Sequence, residues 1–284
     1  MATRKTVYTA YLLATFVFAA ALICGRIASA APGDGLSGDA QAVMDKAGEG
    51  NLEGLGAALD GKSIAEIAAL AGEIAGNTEG DARNNALRLL ALAAMQQQEL
   101  GDLCKLCRAL MEAVVEGSEG AAGAASAAMQ GVVEAALVHP ALDDLEDEEK
   151  NARLQSVASC AANAAVKAAE ENEQLDPVEV AAAVAKGGAR GLGDDIDPGQ
   201  LTALVDGMSD GGVGGADEPN KPAVARAIMR AVASVVPPEL RDLIGVEPGE
   251  EDGDDEDEDG GLDGEPTLPP PPANPIEPED VSDF

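Results

Sequence analysis

SIAEIAALAGEIA, residues 63–75, opens with Ser63 and places Glu66 three residues later, at the head of a run of Ile, Leu and Ala. That spacing is a capping box. The serine hydroxyl accepts from the amide of Glu66, and the Glu66 carboxylate returns a bond to the amide of Ser63. The stretch predicts a helix, and the same grammar recurs on both sides of it. From Gly38 to about Gly245 the pattern is helical and punctuated by glycine, with no sustained alternation of β-branched and polar residues. The expected fold is all-α: an antiparallel helical bundle or a short helical array rich in Ala and Gly.

Further along, Asp81 is read as the cap of ARNNALRLLALAAMQQQEL, whose Leu87, Leu90, Ala91 and Met95 share one face and which Gly101 ends. LCKLCRALMEAVVEG and AAGAASAAMQGVVEAALV are the next two helices. His139-Pro140 closes the second, because a residue before proline avoids the helical region and proline has no amide to donate. NARLQSVASCAANAAVKAAEE, residues 151–171, follows the acidic patch DDLEDEE. LDPVEV (175–180) and IDPGQL (196–201) then begin two helices alike, each with an Asp cap, Pro at the first helical position and Glu or Gln at the third. The recurrence reads either as duplicated hairpins or as a common way to start a helix. SDGGVGGADEPN, 209–220, reads as a flexible loop before PAVARAIMRAVASVV and the short PPELRDLIG.

Three segments follow from composition. Residues 1–30 resemble a secretory signal: Arg4 and Lys5, an apolar run from Val7 to about Cys24, and Ala28-Ser29-Ala30 with cleavage before Ala31. The competing reading is an uncleaved anchor, since the run is at the lower end of what crosses a bilayer; Ile23 ahead of Cys24 argues against a lipoprotein signal. Residues 31–245 form the helical domain, with a candidate division into two subdomains near 140–150. Residues 246–284 hold sixteen acids, no bases and few apolar groups. Such a tail cannot repay the entropy of ordering and is expected to be disordered, with Pro269–Pro272 favouring a short polyproline stretch.

Four of the five aromatic residues (Tyr8, Tyr11, Phe16, Phe18) lie in the signal segment, leaving Phe284 alone in the mature chain. Its core must therefore be built from Ala, Leu, Val, Ile and Met, packed along closely apposed helices. The full chain has a net charge of −34. Without residues 1–30, fifteen bases face fifty-two acids, a net of −37. This field repels nucleic acid and anionic lipid and suits multivalent cations, a cationic protein or envelope partner, or a high-salt habitat in which screening removes the self-repulsion.

Cys104 and Cys107 stand three apart at a helix start capped by Asp102, where free amides favour a thiolate. No strand precedes the pair, however, and acidic surroundings oppose a redox role. Zinc would need about four soft ligands from three mature cysteines and His139, without regular spacing. The staple reading is preferred: Cys107 bridging Cys160, with Cys104 as the alternative partner, closing a loop worth roughly 3 to 4 kcal/mol in chain entropy. His139 reads as a surface or capping residue. No catalytic residue, cofactor motif or formed metal site is assigned. Asp194, Asp195 and Asp197 after Gly193, and the run Asp252–Asp259, concentrate oxygen ligands without the loop pattern of a formed calcium site, so only weak Ca²⁺ condensation is expected.

Together these features describe an exported, secreted or periplasmic, non-enzymatic structural or interaction protein, with no stable membrane span once the signal is removed. The alternatives are a low-affinity calcium-binding or calcium-buffering protein acting through its tail, then an enzyme of unidentified class, or a chain anchored by an uncleaved N-terminal segment. N-terminal analysis of the protein from its native host should find a chain beginning at Ala31; a full-length cytoplasmic form as the sole product would end the export reading.

Overall fold

In the computed structural model, residues 35–118, 121–142 and 145–245 are described. The signal segment expected at 1–30 and the acidic tail expected at 246–284 lie outside them. Ten α-helices run in order among the described residues: α1 Gly38–Gly48, α2 Leu52–Leu59, α3 Ile64–Asn77, α4 Gly80–Gln97, α5 Leu103–Gly117, α6 Ala121–Val138, α7 Asp147–Glu170, α8 Pro177–Gly191, α9 Pro198–Gly215 and α10 Lys221–Ala233. Two 3₁₀ turns, Pro140–Leu142 and Pro238–Ile244, complete them, and no strand is present among these residues. The all-α expectation holds, in its array form.

The starts behave largely as their side chains dictate. Ser63 and Glu66 make the reciprocal bonds of a capping box, and these bonds from Ser63 hold the Glu66 carboxyl below its usual range. Asp176 accepts from the amide of Val178, and Asp197 from that of Gln200, each ahead of a proline in the first turn. Two caps differ from expectation. Asp81 sits inside the first turn of α4, which begins at Gly80 in a left-handed conformation (φ 68°) after Glu79. Asp102 precedes α5 but makes no cap bond; its carboxylate takes the Lys105 ammonium at 2.7 Å instead.

From α2 to α10, each helix packs most extensively on a helix two places away along the chain. The pairs α3·α5, α5·α7 and α7·α9 build one layer, and α4·α6, α6·α8 and α8·α10 build the other, with α1 and α2 packed against α4. Helices within a layer are parallel, and glycines show it. A Cβ added at Gly207, Gly211 or Gly215 of α9 would meet the carbonyl oxygen of Gln155, Ser159 or Asn163 of α7 respectively. The register advances by four on both helices, so one glycine per turn lies against the neighbour's backbone. Gly187 and Gly191 of α8 face Ser126 and Gln130 of α6 in the same way, as do Gly72 and Gly76 of α3 opposite Ala113 and Gly117 of α5. Removing the side chain lets two backbones meet, which larger residues at an interface prevent.

This corrects the reading of 209–220 as a flexible loop. Residues 209–215 are the last two turns of α9, and their glycines mark close packing. The turn proper is short: Glu170 at the end of α7 accepts from the Asp217 amide at 3.0 Å and from the Asn220 side chain at 3.0 Å. The two Asp-Pro starts fall on α8 and α9, successive helices in opposite layers. The buried apolar residues form one cluster from Ala40 to Ile244, to which α6 and α7, on either side of 140–150, both contribute. The largest fully buried side chains are Leu, Ile and Met, with no Phe, Tyr or Trp among the described residues.

The glycine contacts predict opposite outcomes for one chemical change. Gly211→Ala should destabilise the fold by about 1–3 kcal/mol, because its methyl group meets the Ser159 carbonyl. Gly48→Ala, with nothing within 4 Å of the new carbon, should be neutral or stabilise by a few tenths of a kcal/mol through helix propensity. Denaturant unfolding of the two variants beside the parent measures both.

Candidate functional site

Cys104 and Cys160 form a disulfide, with Cα atoms 5.5 Å apart and a sequence separation of 56. It joins α5 to α7, neighbours in one layer. The preferred partner, Cys107, is not the one used. Three residues advance an α-helix by roughly 300°, enough to turn Cys107 off the flank that faces Cys160. Cys107 is fully buried and lies 3.3 Å from the sulfur of Met95 on α4, in the other layer. Burial pushes its thiol pKa up to about 12, the reverse of the depressed value that a reactive thiolate requires. The bridge closes its long loop with an entropic contribution of about 4 kcal/mol.

His139 is buried, contrary to the surface part of its reading, and acts as a clasp. Its Nδ1 accepts from the Ala141 amide at 3.2 Å, so the neutral ring carries its proton on Nε2 and donates it to the Gln98 carbonyl at 3.0 Å. The residue ties the end of α4 to the turn after α6. The acids after Gly193 do not converge: Asp197 is engaged as the α9 cap, and no group of three or more His, Cys, Asp or Glu side chains suited to a metal ion occurs among the described residues. Asp252–Asp259 lie outside those residues. No helix among the described residues is long and apolar enough to cross a membrane.

An open surface groove of roughly 380 Å³ lies across α4, α6 and α8. Its floor is α6, where Ala122, Gly123, Ser126 and Ala127 keep the surface low. Asn84 and Arg88 of α4 form one wall, and Lys186 and Arg190 of α8 the other. Arg88 is fixed by Glu134, whose two carboxylate oxygens accept from one guanidinium nitrogen at 2.9 and 2.8 Å, and the Gln130 amide donates to the same carboxylate at 2.8 Å. Lys186 and Arg190 are exposed one turn apart. The groove can hold a solvent-accessible ligand by polar and ionic contacts, and its shape is open along the surface.

None of these groove residues is singled out by the sequence reading. The available signals were the spacing of four between Lys186 and Arg190 and the run of small residues AAGAASAA, 121–128. Joining them requires knowing that α6 lies between α4 and α8.

The cysteine geometry predicts the outcome of a thiol map. Proteolysis after alkylation of the native protein should release a peptide containing Cys160 linked through Cys104, and Cys107 should become reactive only on unfolding. A Cys107–Cys160 peptide would contradict the pairing. No protein-family model, curated protein or solved structure matches this chain, so its function is argued from its own residues.

Proposed function

We propose that the protein is an exported, non-enzymatic interaction or structural protein of the cell envelope or exterior, whose working part is the two-layered helical array. The observation that carries this reading is the parallel packing of helices two places apart along the chain. Such arrays are quasi-one-dimensional scaffolds in which side chains from successive helices line continuous surfaces suited to partner chains. Export draws its support from Arg4, Lys5, the apolar run and Ala28-Ser29-Ala30, and the α5–α7 bridge agrees with an oxidising destination. The sixteen acids of the C-terminal segment favour weak, multivalent Ca²⁺ binding as a second reading.

Fractionation of native cells combined with site-specific photo-cross-linking tests the first reading. A cross-linker at Ala122 should give discrete adducts in the envelope or exterior fraction, while one at Gly48, away from the groove, should not. Recovery of the chain solely from the cytoplasm, or an absence of adducts from Ala122, would overturn it. Equilibrium calcium titration separates the second reading: saturable uptake accompanied by a change in cross-linking would favour a calcium-responsive role.

A further inference from the structure

Charge is divided unevenly between the two layers. Helices α4, α6, α8 and α10 carry seven Lys and Arg against three Asp and Glu, a net of +4; α3, α5, α7 and α9 carry five against ten, a net of −5. In a chain of net charge −34, this makes one layer a local exception. At physiological ionic strength, exposed charges are screened beyond about 8 Å, so a ligand seated in the groove responds chiefly to the groove's own side chains.

We propose that the α4–α6–α8 groove binds an acidic peptide segment in extended conformation, a partner opposite in sign to the cationic one that the net charge suggests. Lys186 and Arg190 are exposed and have no ion-pair partner among the described residues, which leaves two cations one helical turn apart for carboxylates. Arg88 is already neutralised by Glu134; it stiffens the opposite wall and contributes no free charge. Asn84, Ser126 and Gln130 supply neutral donors and acceptors along the groove, the kind that main-chain amides of an extended peptide can use. The low floor of Ala122 and Gly123 lets such a chain lie close to α6. Openness along the surface favours a segment that passes through over a small molecule that must be enclosed. Charge complementarity thus selects the side chains, and the amides and small floor select an extended backbone.

This inference rests on the interaction reading above, and its test is separate from that of localisation. Fluorescence anisotropy of a labelled peptide of alternating Glu and Gly, titrated with the full chain at low and physiological salt, should show saturable binding that weakens as salt rises. A peptide of alternating Lys and Gly serves as the opposite-sign control. Lys186→Glu combined with Arg190→Glu should weaken binding of the acidic peptide by about tenfold or more, the scale of losing charge-assisted contacts at an interface. Arg108→Glu combined with Arg153→Glu makes the same change in net charge on the other layer and should leave binding within about twofold. Circular dichroism of each variant confirms the retained helix.

Absence of saturable binding by the acidic peptide overturns the proposal, as does an equal loss in both double variants, which would mean diffuse attraction. Binding of phosphatidylglycerol vesicles without binding of the peptide would assign the face to a membrane and also overturn it. Self-association that the Lys186 and Arg190 changes abolish, without peptide binding, would assign it to a second copy. Discrete cross-linked partners combined with no peptide affinity would defeat this inference alone, leaving the interaction reading in place.

Discussion

Contact between parallel backbones is the constraint on which the array depends. The Gly207, Gly211 and Gly215 positions of α9 meet the carbonyls of Gln155, Ser159 and Asn163 on α7, and the repeat of four leaves one helix register at which all three contacts form together. A core of Ala, Val, Leu, Ile and Met buries modest area per side chain, so proximity along the full length of each helix has to replace the reach of large rings. The glycines make that proximity available, and the alanines beside them fill the narrow space without forcing it open. Close approach also permits Cα–H···O contacts, a secondary contribution.

Much of the fold was legible because helix starts are local chemistry. Ser63 with Glu66, Asp176 with Pro177, and Asp197 with Pro198 each complete their hydrogen bonds within a few residues. The same local view failed at 209–215, where glycine signals a loop unless a second helix is known to lie against it. It failed more gently at Asp81 and Asp102, where the choice among several nearby amides and cations depends on the exact turn at which the helix begins. The oxidised pair was open in the sequence because Cys104 and Cys107 are close in register; what separated them was the position of α4, which receives Cys107 against Met95.

The groove was hidden for a related reason. Its walls come from α4 and α8, separated by about a hundred residues, and only the order of helices within one layer brings them to either side of α6. Net charge pointed the other way, since the total hides the division between layers. His139 shows the same limit on a smaller scale: Gln98 is forty-one positions away, and nothing near the histidine in sequence announces it.

The glycine stripes also set how the chain tolerates genetic change. Glycine is the smallest residue, so every missense replacement adds at least a Cβ, and at the contacts facing Gln155, Ser159 and Ser126 that atom meets a neighbouring backbone. A truncated leucine in a core can be offset by a larger residue beside it, but a main-chain carbonyl cannot be made smaller. These positions therefore lack second-site compensation by side-chain exchange, and relief has to come from moving a whole helix.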